Sequence, residues 1–371
     1  MRRPFRAGLT ACSSSGDSAS DGAGGSTALD VWLMRDSVSA EFQKEFERGF
    51  EKAHPGIDLK IQIQEWEGIG EKVTAALASN DAPDVIEVGN TQVAQYAQSG
   101  GLTDFSDRVA ELGGDAWLEG LAEPGSYDGK QYGIPYYAAN RVVIHRTDLF
   151  EQAGVDASRI RTRDQWIAAT RKLDKGGTQG IHLPGQNWYV LSGFVWDEGG
   201  DLAVKSGGEW KGGLDSPAAL RAMDFYRRLQ ALGKGPKDSD EAQPKTADRP
   251  GAVFTGGSDL VVPAVAAHQE EAFTFIREPT GDAWQKKLAV AMSYVPNKTT
   301  LAGAVTDDPG TAAMAAGAAH GRATPNTPQW AAVEAKNPIK EYMTAVLTGK
   351  DAESAAAEAS RTITETLGGD S

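Results

Sequence analysis

Apolar residues recur with two different periods in the first third of the chain. Phe42, Phe46 and Phe50 are each four residues apart, which predicts an amphipathic helix over 38–53. Between residues 57 and 63 aliphatic and polar residues alternate, as is typical of a half-buried strand. Further strands are predicted at 29–33 and 85–88, and further helices at 68–79 and 91–99. This alternation of strands and helices predicts βαβ units and a parallel sheet.

The middle of the chain predicts shorter elements, and the last third predicts helices. Residues 141–145 have the composition of a strand, and Thr162 and Gln165 form a capping box at the start of a helix. Residues 233–250 contain no large apolar side chain, so we predict a polar loop there. The helices predicted after this loop are 267–278, 281–291, 308–318, 328–347 and 351–367.

The composition argues against two classes of partner. The chain carries 51 acidic and 37 basic residues, a net charge of −14, and its Lys and Arg residues do not cluster. Binding to nucleic acid requires a basic surface, so we expect no nucleic acid partner. No apolar run reaches the length of about 18 residues that a membrane-spanning helix needs.

The motifs of common enzymes and metal sites do not occur in the sequence. The five histidines are scattered, with no pair at the spacing of a helical zinc site. The glycine-rich segment 256–260 lacks the second glycine of a nucleophile elbow. Asp238, Asp240 and Glu241 could be imagined as catalytic carboxylates, but they fall in the polar loop, where charges are usually solvated. We therefore expect no catalytic residue, no metal and no cofactor.

Aromatic residues give the positive indication of a function. The chain has nine tryptophans and nine tyrosines, and several stand beside amides or glycines in predicted loops. These residues are Trp66, Tyr136, Tyr137, Trp188, Tyr189, Trp196, Trp284 and Trp330. Sugars present flat C–H faces that pack on such rings, together with hydroxyls that need polar partners. A sugar ligand is one interpretation, and burial of these rings in a core or a domain interface is the other.

Cys12 is the only cysteine of the chain. A basic start at residues 1–3 and small residues precede it, and the Gly- and Ser-rich tract 13–27 follows it. This arrangement resembles the lipobox of bacterial lipoproteins, in which the signal peptidase cuts before the cysteine and the cysteine is acylated. A secretory signal has an apolar stretch of about 7–15 residues, whereas Arg6 interrupts the stretch here. The resemblance predicts lipidation of Cys12, and a surface cysteine is the alternative.

Seven short motifs, spread over nearly the whole body, occur in an order that resembles one protein family. They are Val-Trp-Leu-Met at 31–34, the segments 50–57 and 72–78, Ala-Pro-Asp-Val-Ile-Glu-Val-Gly-Asn-Thr-Gln at 82–92, Tyr-Gly-Ile-Pro-Tyr-Tyr at 132–137, Phe-Thr-Gly-Gly-Ser at 254–258 and Thr-Pro-Asn-Thr-Pro-Gln-Trp at 324–330. The order is similar to that of the extracellular solute-binding proteins of carbohydrate ABC importers. That family includes the maltose-binding proteins and actinobacterial lipoproteins for oligosaccharides such as chitobiose.

The resemblance implies an α/β, two-lobed, periplasmic-binding-protein-like fold of type II with a helical C-terminal part. Its implied organisation is a truncated lipoprotein signal and flexible tether at 1–28, an N-terminal α/β lobe at 29–138 plus roughly 254–310, and a second lobe at 139–253 plus roughly 311–371. The polar loop 233–250 replaces an apolar strand and helix that relatives have there. The second lobe is therefore expected to be incomplete.

The resemblance also implies a ligand site in the cleft between the lobes. Polar groups just past the ends of parallel strands are expected to line it, because open α/β sheets bind ligands at that edge. The implied ligand-binding residues are Asp36, Trp66, Asn90, Gln92, Tyr136, Tyr137, Arg141, Trp188, Trp196, Gly256, Gly257 and Ser258. The tryptophans would be stacking platforms, and the glycine segment would offer backbone amides.

The implied function is that of a monomeric, non-catalytic receptor. It would bind an oligosaccharide in the interlobe cleft and deliver it to the membrane permease subunits of an ABC importer. The implied location is the extracellular face of the cell membrane, with the lipid anchor as the only membrane contact. Two alternatives remain open: a degenerate surface lipoprotein without transport activity and, less favoured, an enzyme acting on glycosides.

Overall fold

The computed structural model describes residues 26–175, 179–240 and 253–368. The strands are β1 (Thr27–Met34), β2 (Ile57–Gln64), β3 (Val85–Gly89), β4 (Ser126–Tyr127), β5 (Lys130–Gln131), β6 (Ile134–Asn140), β7 (Ala203–Ser206), β8 (Glu209–Gly212), β9 (Val253–Val261) and β10 (Gly321–Arg322). The helices are α1 (Ala40–Ala53), α2 (Ile69–Leu77), α3 (Val93–Gln98), α4 (Glu119–Ala122), α5 (Thr147–Gln152), α6 (Arg163–Leu173), α7 (Trp188–Asp197), α8 (Pro217–Gln230), α9 (Gln269–Arg277), α10 (Asp282–Met292), α11 (Pro309–Ala318), α12 (Trp330–Lys336), α13 (Pro338–Leu347) and α14 (Ala352–Leu367).

Six strands form one mixed sheet. Its order is β10-β9-β3-β1-β2, with β6 paired to β9 outside this path. The β1–β2 and β1–β3 pairs are parallel, as the alternation of strands and helices predicts. In contrast, β9 runs antiparallel to both β3 and β6. The prediction of a parallel sheet for the first third of the chain is therefore confirmed, and β9, which enters from a distant part of the chain, is not covered by the βαβ rule.

The phenylalanine face of α1 packs into the first of two large hydrophobic cores. Phe42, Phe46 and Phe50 are all buried, and they contact the ring of Phe275 from α9 or the ring of Trp284 from α10. The Ser39 side chain accepts a hydrogen bond from the Phe42 amide, which caps the helix. This first core also contains the inward residues of β1 and β9. The period of four seen in the sequence is thus the buried face of α1.

The second core is built mainly between helices. It joins α7 and α8 to α12, α13 and α14, with Tyr226 and Trp330 among its fully buried members. The two strands that contribute to this half of the described chain, β7 and β8, form a separate antiparallel hairpin.

Most predicted helices are confirmed, but two predicted elements are wrong. Residues 141–145 are not a strand, because β6 already ends at Asn140. The helix predicted over 328–347 is two helices, α12 and α13. Asn337 separates the two helices and adopts a left-handed conformation (φ 45°). Pro338 is the first residue of α13, a position where the missing N–H of proline costs no helical hydrogen bond. The Asn337 side chain then caps α13 by accepting from the Lys340 amide.

The polar loop is described only up to residue 240. Its first part runs beside residues 180–186, with the Gly185 amide bonded to the Pro236 carbonyl and the Gln186 amide to the Ser239 carbonyl. A side chain at Gly235 would collide with the Leu183 carbonyl, so this close approach needs glycine. Residues 241–250 and Cys12 with its flanking tract lie outside the described residues. Among the helices that are described, none is long and apolar enough to cross a membrane.

Candidate functional site

A buried polar cluster lies where β1, β3, β6 and β9 meet. Glu87 on β3 is 0% exposed, and it accepts hydrogen bonds from the Met34 amide (2.9 Å) and the Ser37 hydroxyl (2.7 Å). The Tyr137 hydroxyl, on β6, donates to the same carboxylate at 3.3 Å. Ser258 on β9 donates to the Tyr137 hydroxyl oxygen at 3.2 Å. One carboxylate therefore ties together four segments of the sheet.

The environment of Glu87 perturbs its protonation. Burial raises the pKa of the Glu87 carboxyl, and the hydrogen bonds from Met34, Ser37 and Tyr137 oppose that rise by favouring the ionised form. A buried carboxyl without such donors would be costly, because charged groups lose hydration in the interior. These hydrogen bonds hold the buried cluster in a fixed arrangement at this edge of the sheet.

An aromatic stack continues the cluster toward solvent. The ring of Tyr294 lies parallel to that of Tyr137, with centroids 4.2 Å apart and planes at 9°. The Tyr294 hydroxyl donates to the carbonyl oxygen of Asp36 at 2.8 Å. Asp36 itself is exposed and adopts a left-handed conformation (φ 66°), which turns the chain sharply after β1. Tyr294 therefore links the turn after β1 to the crossover strand β6.

The two cores meet beside the buried cluster around Glu87. Asn90, which follows β3, is 3% exposed, and the hydroxyl of the next residue, Thr91, donates to Glu334 Oε2 at 2.9 Å. Glu334 belongs to α12, and its Oε1 accepts from Trp330 Nε1 at 3.1 Å. Burial raises the pKa of Glu334, and these two hydrogen bonds oppose the rise. This carboxylate joins the end of a first-core strand to a second-core helix.

A cation and a tyrosine lie in the same region. The Arg141 guanidinium lies over the ring of Tyr189, 5.0 Å from its centroid. Burial raises the pKa of Tyr189 to about 12, with the charge of Glu334 adding to the rise and that of Arg141 opposing it. Arg141 follows β6, and Tyr189 is in the first turn of α7. The ends of β3 and β6 thus face α7 and α12. We call this region, formed by Thr91, Arg141, Tyr189 and Glu334, the contact zone.

The structure brings five of the predicted site residues to this region. Tyr137 and Ser258 are part of the buried cluster, and Asp36 and Asn90 follow β1 and β3. Arg141 lies at the contact zone. Two more lie nearby: Trp66 is 44% exposed with its ring beside Gly89, and Gln92 accepts a hydrogen bond from Tyr96.

Other predicted residues are core residues in this structure. Tyr136 is 2% exposed and belongs to the first core, so it does not face a cleft. Trp188 and Trp196 are buried in the second core, the latter with Arg322 over its ring. Apolar α7 residues pack inward, which corrects the idea that both tryptophans are open platforms.

The glycine segment of β9 also has a packing role. Gly257 pairs with Ala138 of β6, and a side chain there would collide with the Tyr137 carbonyl and reach Leu121 Cδ2 at 2.8 Å. Gly256 pairs with Ala139 in the same ladder. Gly257 therefore allows β6 and β9 to approach closely at the crossover.

The sequence did not predict several residues of this region as part of a site. Glu87 carried a signal, since a carboxylate stands inside the apolar run Val85–Val88. Glu334 and Thr91 carried none, because they are 243 positions apart and only the fold brings them together. Tyr294 follows a helix and also lacks a local signature.

A separate groove of about 1000 Å³ lies between the β4–β5 and β7–β8 hairpins, with residues 326–329 and the end of α14 along it. None of the predicted site residues lines this groove. In the part of the chain that the structure describes, no group of three His, Cys, Asp or Glu side chains could hold a metal ion.

Comparison with known proteins gives consistent results at the levels of sequence and fold. The model of the bacterial extracellular solute-binding protein family matches residues 35–248, more than half of the chain. The diacetylchitobiose binding protein DasA of Streptomyces coelicolor is 37% identical over 380 aligned residues, covering 91% of this chain and 88% of that protein.

Solved structures match nearly the whole fold. The sugar-binding protein MalE of Xanthomonas citri superposes with a TM-score of 0.80 at 20% identity, covering 92% of this chain and 97% of the other. The GacH receptor of Streptomyces glaucescens superposes with a TM-score of 0.76 at 20% identity, covering 92% and 98%. These structures establish the two-lobed type II periplasmic-binding-protein fold. By its sequence and its fold, the chain belongs to the bacterial extracellular solute-binding proteins and is a solute receptor.

Proposed function

We propose that the chain is a non-catalytic receptor that binds a short neutral oligosaccharide between its lobes and delivers it to an ABC importer. The observation that carries the proposal is the contact zone between the lobes, where the Thr91 hydroxyl bonds the Glu334 carboxylate and the charge of that carboxylate reaches the aromatic ring of Tyr189. Sugars need this combination of polar partners and apolar rings. The 37% identity to a diacetylchitobiose binding protein favours a β-linked N-acetylglucosamine disaccharide.

The arrangement of carboxylates supports binding more than catalysis. Glycoside hydrolysis needs two carboxyl groups flanking one bond, about 5–9.5 Å apart. Glu87 is fully buried and holds amide and hydroxyl donors of the sheet, so it cannot reach a glycosidic oxygen. Glu334 already has a hydrogen bond on each oxygen. These contacts suit Glu87 to a structural role and Glu334 to ligand recognition, so these two carboxylates do not form a catalytic pair.

We propose that each core is the centre of one lobe and that three crossings connect them, after β6, before β9 and after β10. The helix α11 packs against Leu118 and Ala138, which are first-lobe residues, so the first lobe extends beyond residue 310 to about the end of α11. Ligand would bridge the lobes and favour their closed arrangement, because only differential binding can shift such an equilibrium.

The alternative of a surface lipoprotein without transport activity has one observation in its favour. The described part of the second lobe contributes only the small β7–β8 hairpin as strand structure, and residues 241–250 carry no large apolar side chain. Against it, the second core is extensive and includes fully buried Tyr226 and Trp330. We propose an extracellular, Cys12-anchored location for either function.

The test is a ligand panel on the full chain. We expect N,N′-diacetylchitobiose, among neutral di- to tetrasaccharides, to raise the melting temperature, since 100-fold excess over Kd stabilises by about 2.7 kcal/mol. The same sugar should reduce the radius of gyration in small-angle scattering, whereas mannitol serves as the small control solute. A folded chain that responds to no glycan of the panel refutes the receptor proposal. Thermal stabilisation without a change in radius would refute lobe closure alone.

A further inference from the structure

Glu334 on α12 touches both lobes through side-chain hydrogen bonds to Thr91 and Trp330. Both of its donors are neutral, a threonine hydroxyl and an indole N–H. Thr91 comes from the strand end in the first lobe, and Trp330 from the same helix as Glu334. The bond to Thr91 must therefore break when the lobes separate, whereas the bond to Trp330 can persist.

The charged side chains described near Glu334 interact with other residues. The Arg141 guanidinium is stacked on the Tyr189 ring, and the nearby carboxylate of Asp240 forms an ion pair with Lys340 at 2.5 Å. The charge of Glu334 acts on Tyr189, whose pKa it helps to raise. An anion brought to this carboxylate would meet like charge, and like charges at close range disfavour binding strongly.

We propose that Glu334 is the specificity-determining residue of the interlobe site: it accepts a hydrogen bond from a hydroxyl or amide N–H of a neutral sugar, and it rejects sugars that carry a carboxylate. In the arrangement that the structure describes, Thr91 supplies the donor, and a ligand that enters between the lobes takes its place. This inference rests on the proposed function. It defines the ligand class as neutral saccharides with a donor at that position, such as the 3-hydroxyl or acetamido N–H of N-acetylglucosamine.

The exchange is chemically balanced. Opening the lobes removes the Thr91 hydroxyl from Glu334 Oε2, and water or ligand takes its place, so the free chain loses no hydrogen bond overall. Trp330 keeps the carboxylate oriented through Oε1. A hydrogen bond to a charged acceptor is stronger than a neutral one, so replacing the carboxylate by an amide should be felt in affinity.

The test compares Glu334→Gln with Glu341→Gln, an exposed glutamate on the next helix. Calorimetry on the full chain would use N,N′-diacetylchitobiose and a disaccharide of the same size that carries one glucuronic acid. We expect wild type and Glu341→Gln to bind the neutral sugar and to bind the acidic one at least about 100-fold more weakly. Glu334→Gln should bind the neutral sugar about 10–100-fold more weakly than wild type does. The ratio of its Kd for the acidic sugar to its Kd for the neutral sugar should be smaller than the wild-type ratio by about tenfold or more.

Each outcome bears on a different statement. An unchanged preference in Glu334→Gln, or a wild type that binds both sugars equally, overturns the inference while the receptor function stands. A wild type that binds neither sugar refutes the proposed function and the inference with it. Thermal denaturation of each variant, expected to match wild type within a few degrees, separates loss of recognition from loss of folding.

Discussion

Asp259 on β9 should make the stability of the protein fall as the pH rises. This carboxyl is 0% exposed, and neither of its oxygens has a hydrogen-bond partner in the described structure. It stands between Val88 on β3 and Pro135 on β6, with Gly133 directly against it. Burial raises the pKa of Asp259 well above its ordinary value of 3.8. The folded chain therefore keeps this group protonated where the unfolded chain ionises it.

The sign and size of the effect follow from proton linkage. Because the folded pKa is raised, the favourable contribution of this group is complete below the unfolded pKa and is lost as pH rises toward the folded pKa. One proton corresponds to about 1.4 kcal/mol per pH unit. Between the unfolded and the folded pKa of Asp259, the free energy of unfolding should therefore fall by about 1.4 kcal/mol for each pH unit through this group alone.

Asp259→Asn tests the reasoning because the amide has nearly the shape of the neutral acid and does not titrate. Urea unfolding followed by circular dichroism at pH 5, 6 and 7 should show the variant gaining about 1 kcal/mol or more per pH unit relative to wild type. Asp307→Asn, at an exposed position, is the control and should show no such trend. A difference between Asp259→Asn and wild type that is equal at all three pH values would refute a buried, protonated Asp259.

Two further predictions concern the sheet cluster and the N-terminal segment. Glu87→Ala leaves the Met34 amide and the Ser37 hydroxyl buried without their acceptor, so the free energy of unfolding should fall by about 2–5 kcal/mol, and by clearly less in Glu87→Gln, whose amide oxygen still accepts. Equal losses in urea unfolding of the two variants would contradict the role given to the carboxylate. In an actinobacterial host, wild type should appear in the membrane fraction and Cys12→Ser in the medium, and a wild type found only in the medium would exclude the lipid anchor.

The sequence predicted helices and strands correctly where apolar residues recur at a short, regular spacing. The spacing of Phe42, Phe46 and Phe50 and the alternation over 57–63 marked α1 and β2 because each repeats along one element. The order of the motifs was likewise readable, and it led to the correct family and fold. In contrast, the break at Asn337 depends on one left-handed residue before a proline, and the sequence alone did not distinguish it from a continuous helix.

The site shows where sequence ends and tertiary structure begins. The motif around Asn90 predicted a site at the end of β3, since residues after a parallel strand meet at one edge of a sheet. Whether an aromatic residue is a platform or a core residue was not readable, and the fold buried Tyr136, Trp188 and Trp196. The side chains that converge on the contact zone belong to segments far apart in the chain.

The amino-acid sequence by itself therefore determined most of the helices and strands and the family. The antiparallel entry of β9, the cluster around Glu87 and the Thr91–Glu334 contact were decided only by the tertiary structure. The physical reason is that helix and strand periods arise from neighbouring residues, whereas a hydrogen bond between positions 243 apart depends on how two lobes are placed against each other.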